Sequence, residues 1–322
     1  MKNKVLESLY EKKGEFVSID ELTSQLGFEH SQILDHIKTL KKEGYTINIS
    51  NDAFQLNEEL TLILPHKLKS ILDTSRIGNE IHYFREVDST NEVAKKLAID
   101  GAPEGTVVIA ESQSKGRGRR GKKWISPMGG AWMSVILRPD ILPINAPQLT
   151  FTAGVAAAKT LKDEYGLEVG IKWPNDILID NKKVCGILTE ISTERDAIDY
   201  MVIGIGIDVN IDLGSFPPEL KDTATSIKSE LRDGDVSRMI LVQKFLENFE
   251  EIYNEFSKGN FHSILNKWRE YSKTIGSSVE VKTGTKIIKG EAVGVNSDGA
   301  LIVELNNGSL EKIISGECRH VA

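Results

Sequence analysis

The glycine-rich, basic segment Ser112–Lys123 constrains the fold of this chain more than any other feature. It reads SQSKGRGRRGKK and holds six basic residues, three glycines and no acidic residue, in a chain whose formal net charge is −7. Glycines let a backbone fold closely around a bound group, and guanidinium and ammonium groups neutralise anions. The segment therefore predicts a loop that binds a phosphate-bearing ligand.

Two nucleotide-binding motifs overlap on this loop, and its neighbours exclude both. Its glycines fit G-x-G-x-x-G, and the run from Gly116 fits G-x-x-x-x-G-K, although Lys123 stands where a P-loop has Ser or Thr. The loop follows a predicted strand, Thr106–Ala110, and leads to another, Ala131–Leu137. No helix is predicted to begin there and hold a pyrophosphate, so we expect neither a Rossmann nor a P-loop fold. A nuclear-targeting or nucleic-acid-binding patch stays the alternative.

A second polar cluster lies about fifty residues further on. Lys172–Asp176 (KWPND) precedes a predicted hairpin made of Ile177–Ile179 and the strand that begins at Lys183. Lys183 has apolar neighbours in that strand, so it is either a solubility device on an edge strand or a ligand contact. Gly186 inside the strand indicates that another group approaches its backbone closely.

A third cluster, Asp88–Asn91 (DSTN), has two interpretations. Ser89 followed by Glu92 fits a capping box that opens a helix over Asn91–Ala98, and from these residues alone we favour that interpretation. In the alternative, the same hydroxyl and amide groups donate hydrogen bonds to a neutral polar ligand.

The three clusters together resemble the biotin–protein ligase family. DSTN, GRGRRGKKW, and KWPND followed by KKVCGIL occur in this order and spacing, and the full-length layout resembles the bifunctional ligase/biotin-operon repressor branch. Lipoate ligases and class II synthetases, whose catalytic folds are related, lack GRGRRGKKW. The resemblance implies that biotin's carboxylate attacks the α-phosphate of ATP, giving biotinyl-5′-AMP and pyrophosphate. A lysine of a biotin carboxyl carrier domain then attacks that anhydride.

The predicted elements and the resemblance indicate a multidomain α+β protein. We expect four segments: a winged helix-turn-helix domain over 1–62, a connector over 63–80, a mixed-sheet α/β catalytic domain of the class II synthetase/biotin-ligase type over 81–274, and an SH3-like β-barrel over 275–322. The predicted catalytic strands are Ile81–Val87, Thr106–Ala110, Ala131–Leu137, Glu168–Lys172, Ile177–Ile179, Val184–Glu190 and Tyr200–Ile207. The predicted helices between and after them are Asn91–Ala98, Gln148–Tyr165 and Arg238–Gly259.

The resemblance also implies which residues bind the substrates. The positions that correspond to biotin contacts are Ser89, Thr90, Asn91, Gln113, Gly116, Arg117, Gly118, Arg119, Lys183 and Gly186. The positions that correspond to ATP contacts are Arg119, Arg120, Trp124, Lys172, Asn175, Asp176 and Lys183.

Three of these positions are the implied catalytic residues. Lys183 is expected beside the biotin carboxylate and the α-phosphate, Arg119 is expected to retain the intermediate, and Asp176 is expected to receive the acceptor lysine's proton. A turn-forming Asn-Asp pair is the alternative for Asp176, and ordinary core packing is the alternative for Trp124. Mg²⁺ should accompany ATP through phosphate oxygens, because no carboxylate cluster indicates a dedicated metal site.

Two other features bear on regulation and on the cavity. A loop rich in glycine and like charge should be mobile when empty and should close over its ligands, excluding water from the anhydride.

Gly204–Asn210 (GIGIDVN) resembles the family's GIGIN segment, but Asp208 replaces the usual Asn. A carboxylate near the nucleotide would repel phosphate, so the role of Asp208 stays open.

The expected DNA-binding segment is the helix-turn-helix from Ile19 to Leu40, with Tyr45–Leu56 as the wing. Lys38, Lys41 and Lys42 could contact the DNA backbone. Residues 1–60, however, hold seven lysines, no arginine and eleven acidic residues, a net charge of −4. That sign is unfavourable for a surface that meets phosphates, so we expect weak or conditional binding to operator DNA, helped by homodimerisation in the biotinyl-AMP state.

The composition of the chain indicates its cellular location, and two alternatives to a biotin ligase stay open. The chain has two cysteines far apart in sequence, which indicates no disulfide framework, and no apolar run approaches a membrane span. We therefore expect a cytoplasmic protein with no membrane partner. The alternatives to a biotin ligase are a ligand-sensing DNA-binding regulator without ligase activity and a lipoate or other acyl ligase.

Overall fold

The computed structural model describes residues 2–42, 45–57, 62–232, 234–284 and 286–321. The chain divides into two compact units, Met1–Leu64 and Pro65–Ala322. None of the helices in these described ranges is long and apolar enough to cross a membrane.

The first unit contains three helices and a small antiparallel sheet. Its elements are α1 Lys2–Glu11, β1 Val17–Ser18, α2 Ile19–Leu26, α3 His30–Lys42, β2 Ile47–Ser50 and β3 Ala53–Leu56, with strand order β1-β3-β2. The Ser18 hydroxyl accepts a hydrogen bond from the Glu21 amide at 3.2 Å and begins α2, and Gly27 in the left-handed conformation ends it. Ile33, Ile37 and Leu40 of α3 are buried, as their helical spacing predicts.

A seven-stranded mixed sheet forms the centre of the second unit. Its strands are β4 Ile81–Val87, β5 Val107–Gln113, β6 Ala131–Leu137, β7 Val169–Lys172, β8 Asp176–Ile179, β9 Lys182–Glu194 and β10 Ala197–Ile207. The order is β4-β5-β6-β10-β9-β8-β7; only β4 and β5 are parallel, so the predicted mixed sheet is confirmed. Its helices are α4 Pro65–Ile71, α5 Thr90–Ile99, α6 Pro147–Tyr165, α7 Ile227–Leu231, α8 Arg238–Ser257 and α9 Phe261–Tyr271.

Tertiary pairing lengthens the strands beyond their apolar segments. Strand β5 continues to Gln113 because Ser112 and Gln113 pair with Glu86 and Val87 of β4. The β9–β10 hairpin continues past Glu190 through polar residues, which pair across the two strands up to Glu194 and Ala197. The helix α9 was not predicted, although Phe261, Ile264, Leu265 and Trp268 are buried at helical spacing.

The C-terminal strands form a β-sheet that contacts the KWPND segment. The strands are β11 Ser278–Thr283, β12 Lys286–Val295, β13 Leu301–Glu304, β14 Leu310–Ile313 and β15 Glu317–His320, in the order β14-β13-β12-β11-β15. Pairing among the described strands leaves β14 and β15 as the two edges of an open sheet, so the SH3-like barrel stays a prediction. The Trp173 indole N–H donates to the Gly299 carbonyl at 3.0 Å, and the Thr274 hydroxyl accepts from the Trp173 amide at 2.9 Å. These bonds fix the KWPND segment against the C-terminal sheet.

Candidate active site

A cavity lies where the glycine-rich loop faces strands β8, β9 and β10. Its volume of about 420 Å³ is typical of a site for a small molecule. Of the fifteen predicted contact residues, fourteen line the cavity: Ser89, Thr90, Asn91, Gln113, Arg117, Gly118, Arg119, Arg120, Trp124, Lys172, Asn175, Asp176, Lys183 and Gly186. Lys122, Lys123 and Asp208 also line it. Gly116 is not on the wall. A Cβ there would lie 2.3 Å from the Trp124 carbonyl oxygen and 2.6 Å from Ser126 Oγ. Gly116 therefore permits a close turn behind the wall.

The side chains that line the cavity carry a net positive charge, although the chain as a whole is negative. Its lining includes seven lysine or arginine side chains and three carboxyl groups, in a chain of net charge −7. The three acidic residues are Asp176, Asp208 and Glu317. An excess of fixed cations favours a polyanionic ligand.

At one end of the cavity, a chain of hydrogen bonds joins uncharged groups. The Gln113 amide oxygen accepts from the Thr90 backbone N–H at 2.8 Å and from its hydroxyl at 3.2 Å, and the Gln113 amide N–H donates to Ser126 Oγ at 2.8 Å. Ser134 Oγ donates toward Thr90 Oγ1 at 2.8 Å and Asn91 Oδ1 at 2.6 Å. These bonds fix the orientation of each polar group before a ligand arrives.

Glu190 joins this uncharged end to the glycine-rich loop. Its carboxylate accepts from Asn91 Nδ2 at 2.8 Å and from Lys95 Nζ at 3.1 Å, and an Arg117 guanidinium nitrogen lies 3.7 Å away. Burial opposes ionisation of Glu190, but the bonds from Asn91 and Lys95 outweigh it and hold its pKa below the ordinary value. A charged Glu190 therefore anchors both Asn91 and Arg117.

The capping-box interpretation of Ser89 and Glu92 is wrong. Ser89 occupies the N-cap position of α5, but its side chain makes no capping hydrogen bond. The Glu92 carboxylate interacts with other residues, because it pairs with Arg117 and lies 2.6 Å from Lys95 Nζ. The Ser89 side chain lies on the cavity wall instead, as the ligand-binding alternative requires.

A β-bulge directs Lys183 into the cavity. The register between β8 and β9 shifts after Ile177, so that Cys185 pairs with Ile177 and Lys183 with Leu178. Lys183 Nζ lies 2.6 Å from Asp176 Oδ1 and 4.8 Å from the centre of the Trp124 ring. The predicted catalytic pair and the predicted adenine-facing indole are therefore adjacent.

The C-terminal sheet holds the tip of the glycine-rich loop. Arg119 NH1 donates to Asn175 Oδ1 at 3.0 Å and to the Gly316 carbonyl at 3.4 Å, and Arg120 NH1 donates to the Lys282 carbonyl at 2.8 Å. The loop and the KWPND segment thus meet beside β15.

Sequence reasoning missed two functional candidates, Ser134 and Glu190. Ser134 is a fully buried hydroxyl in the otherwise apolar strand β6 (AWMSVIL), and that break in the pattern was a usable signal. Glu190 gave no such signal, because a glutamate in the outer half of a hairpin is common and only the tertiary pairing brings it to Asn91.

No group of three or more His, Cys, Asp or Glu side chains among the described residues could hold a metal ion. Asp176, a carboxylate on the cavity wall, is paired with Lys183 at 2.6 Å. This donor set does not fit a dedicated protein cage for Mg²⁺, which prefers several oxygen ligands.

Comparisons with known proteins agree with this arrangement. Residues 83–208 match the Biotin/lipoate A/B protein ligase family, and residues 274–321 match the Biotin protein ligase C terminal domain. A Bacillus subtilis protein named bifunctional ligase/repressor BirA is 36% identical over 319 residues, covering 98% of both chains. Its Escherichia coli namesake is 27% identical, covering 94% of this chain and 92% of that one.

A solved structure supports the same assignment. A biotin protein ligase from Aquifex aeolicus in complex with biotin and ATP is 30% identical, with a TM-score of 0.65 over 76% of this chain and 100% of that one. The chain thus belongs to the biotin protein ligase family, in the branch whose members are named bifunctional ligase/repressor.

Proposed function

We propose that this chain is an ATP-dependent biotin–protein ligase that forms biotinyl-5′-AMP and transfers biotin to a lysine of a biotin carboxyl carrier domain. The observation that carries the proposal is a single cavity that has a fixed, uncharged hydrogen-bond network at one end and a cluster of cations at the other. A ureido ring is neutral and polar, and a carboxylate beside a triphosphate is strongly anionic. The two ends match those two chemistries.

Activation requires two anions to meet. Lys183 would lie between the biotin carboxylate and the α-phosphate and lower their repulsion, with Arg119 above them. A carboxylate oxygen attacks the α-phosphorus, and pyrophosphate leaves. The protein supplies position and charge here and transfers no proton. Mg²⁺ enters as part of MgATP, held by phosphate oxygens.

Transfer requires one proton to be removed. The acceptor lysine attacks the anhydride carbonyl as a neutral amine, the bond to the AMP oxygen breaks, and AMP leaves. Asp176 is the proposed acceptor of the amine proton, because it lines the cavity beside Lys183. Asn175 is positioned with it, through the bond from its amide N–H to the Ile187 carbonyl at 2.9 Å.

The proposal is tested by identifying which acid the protein converts to an acyl-adenylate. The protein is incubated with ATP and labelled biotin, lipoate or octanoate, and acyl-adenylate is separated by chromatography. We expect biotinyl-5′-AMP only. Preferential lipoyl- or octanoyl-adenylate would identify an acyl ligase of another specificity, and no adenylate from any acid would support a regulator that only senses its ligand.

We further propose that residues 1–62 form a winged helix-turn-helix and that the biotinyl-AMP state is a homodimer. The names of the full-length relatives support a repressor role. The charge of the segment opposes strong binding, and the exposed Lys38 lies 3.5 Å from Asp35 on the same helix. Lys41 and Lys42 are also exposed and complete the proposed backbone contacts.

Operator DNA should therefore bind weakly, and better when biotinyl-AMP is present. The measurement is a titration of operator-length duplex at several salt concentrations, with and without the adenylate. We expect a shallow salt dependence, since few phosphates are neutralised. Nanomolar binding with a steep salt slope would contradict the argument from charge.

Ligands should protect the glycine-rich loop from proteolysis. Residues Ser114–Lys123 hold six potential trypsin sites, and bound biotin and ATP would add anionic partners for Arg117, Arg119 and Lys122. We expect cleavage in the loop to slow several-fold in the presence of both ligands. Equal cleavage rates with and without ligands would show that the loop does not act as a gate.

A further inference from the structure

Four charged side chains beside the uncharged end of the cavity form a ring of alternating sign. Lys95 Nζ lies 2.6 Å from Glu92 Oε1 and 3.1 Å from Glu190 Oε1. Arg117 closes the ring, because its guanidinium pairs with Glu92 and lies 3.7 Å from Glu190 Oε1. The ring therefore joins helix α5, strand β9 and the glycine-rich loop.

Glu190 is the corner of this charged ring that also reaches the cavity wall. Its side chain is 23% exposed, against 39% for Glu92 and 46% for Arg117. Its second oxygen, Oε2, accepts from Asn91 Nδ2 at 2.8 Å. Exposed ion pairs contribute little, whereas a network around a partly buried carboxylate contributes more. Loss of Glu190 should therefore matter more than loss of Glu92.

Glu190 determines which way the Asn91 amide faces. The Asn91 Nδ2 group donates to Glu190 Oε2 and to the Leu188 carbonyl at 3.3 Å, which uses both of its N–H bonds. The amide oxygen consequently faces Ser134, which donates to it at 2.6 Å, and Gly204, where a Cβ would lie 2.1 Å from that oxygen. An amide oxygen can accept two hydrogen bonds, so this one can also accept from a ligand N–H. A charged carboxylate only accepts, so it disfavours the flipped amide.

Arg117 connects the charged ring to the loop as a whole. The loop contains a short hairpin, in which the Gly118 N–H donates to the Lys122 carbonyl at 2.7 Å and the Trp124 N–H donates to the Gly116 carbonyl at 2.9 Å. Arg117 lies between these two bonds, so contacts that fix its guanidinium also fix the hairpin. Gly118 and Trp124 of that hairpin line the cavity, whereas the two carboxylates of the ring do not.

Resting on the proposed ligase function, we propose that Glu190 is a positioning residue for biotin, which fixes the Asn91 amide with its oxygen available to a ureido N–H and, through the charged ring, holds Arg117 and its hairpin over the ligand. Glu190 acts through these neighbours and does not touch the substrate. Burial raises the pKa of Glu190, but hydrogen bonds from Asn91 and Lys95 lower it further, so the carboxylate is charged, as both roles require. Glu92 shares only the second role.

The test measures the dissociation constant Kd for biotin by isothermal titration calorimetry without ATP. Glu190→Gln keeps an oxygen for Asn91 but loses the charge, and Glu190→Ala loses both. We expect Kd to rise about five-fold in E190Q and in Glu92→Gln, and about twenty-fold or more in E190A. Glu194→Gln is the matched control, because it removes the same charge from the exposed end of β9, and its Kd should stay within about two-fold of wild type.

Arg117→Gln separates the two roles of Glu190. In the R117Q background, E92Q and E190Q should add less than about two-fold, because both act through the guanidinium, whereas E190A should still weaken biotin binding about five-fold through Asn91. At saturating biotin and ATP, kcat for adenylate formation should stay within about three-fold of wild type in E92Q, E190Q and E190A, since Lys183 and Arg119 are unchanged.

A Kd of E190A equal to that of E194Q would overturn the positioning role. Equal effects of E190Q in wild type and in R117Q would overturn the action through Arg117, and a fall in kcat or in binding stoichiometry with Kd unchanged would show that Glu190 only supports the fold. Circular dichroism melting shows whether E190A is folded. If it is not, a wild-type Kd in E190Q would overturn the proposal. If wild type does not bind biotin, the ligase function is wrong and the positioning role falls with it.

Discussion

Lys183→Ala is expected to slow biotinyl-adenylate formation by roughly 30- to 1,000-fold while the fold persists. The variant removes the ammonium group proposed to lie between two anions, and such a contact contributes about 2–4 kcal/mol to the transition state. Both side chains are partly exposed, although the Asp176 Oδ1 that faces Lys183 is buried, so the unpaired carboxylate should cost about 1–2 kcal/mol of stability without unfolding the protein. Pyrophosphate release in single turnover measures the effect.

The matched control is Lys182→Ala. Lys182 is the preceding residue of β9 and does not line the cavity, so its removal takes the same charge from the same strand. We expect its rate within about two-fold of wild type. Near wild-type pyrophosphate release by Lys183→Ala would show that Lys183 has no part in activation.

Arg119→Gly is expected to release the intermediate rather than prevent its formation. Arg119 reaches the cavity from the loop tip and is held by Asn175 and the Gly316 carbonyl, so it is positioned to cover a bound adenylate. Without the guanidinium we expect biotinyl-5′-AMP to dissociate about ten- to hundred-fold faster, as loss of a charge-assisted hydrogen bond predicts. The free adenylate should then label lysines of bystander proteins.

Release is measured by chasing radiolabelled adenylate from the protein, and bystander labelling by adding serum albumin. Lys115→Gly is the control, because Lys115 lies in the same loop but pairs with Asp88 at 3.0 Å and does not line the cavity. Adenylate retention by Arg119→Gly equal to that of Lys115→Gly would contradict the covering role.

The residues of the cavity were predictable, and their hydrogen bonds were not. Motif resemblance placed DSTN, the loop and KWPND at one site, and the structure brings them together. Apolar periodicity predicts helices over Ile19–Leu26 and His30–Lys42, and these are the observed bounds of α2 and α3. Local capping by Ser18 and Gly27 decides where α2 begins and ends. The bulge that directs Lys183 into the cavity depends on pairing between β8 and β9, which no local pattern contains.

Errors occurred where tertiary partners override a local motif. Ser89 and Glu92 have capping-box spacing, but Arg117 and Lys95 take the Glu92 carboxylate. The role of Asp208 stayed open in the sequence, because no local pattern reveals that only 3% of this residue is exposed. The C-terminal strands were recognised by their turns, yet closure of a barrel depends on contacts between its first and last edges.

The most direct test of the account is whether one protein molecule makes, keeps and then transfers biotinyl-5′-AMP. The protein is mixed with biotin and ATP labelled at the α-phosphate, passed through a gel-filtration column, and then given a carrier domain without further ATP. We predict about one label per protein after the column, and then release of AMP with one biotin added to a carrier lysine. Label that elutes as free AMP or ADP, or a retained adenylate that does not biotinylate the carrier, would contradict the account.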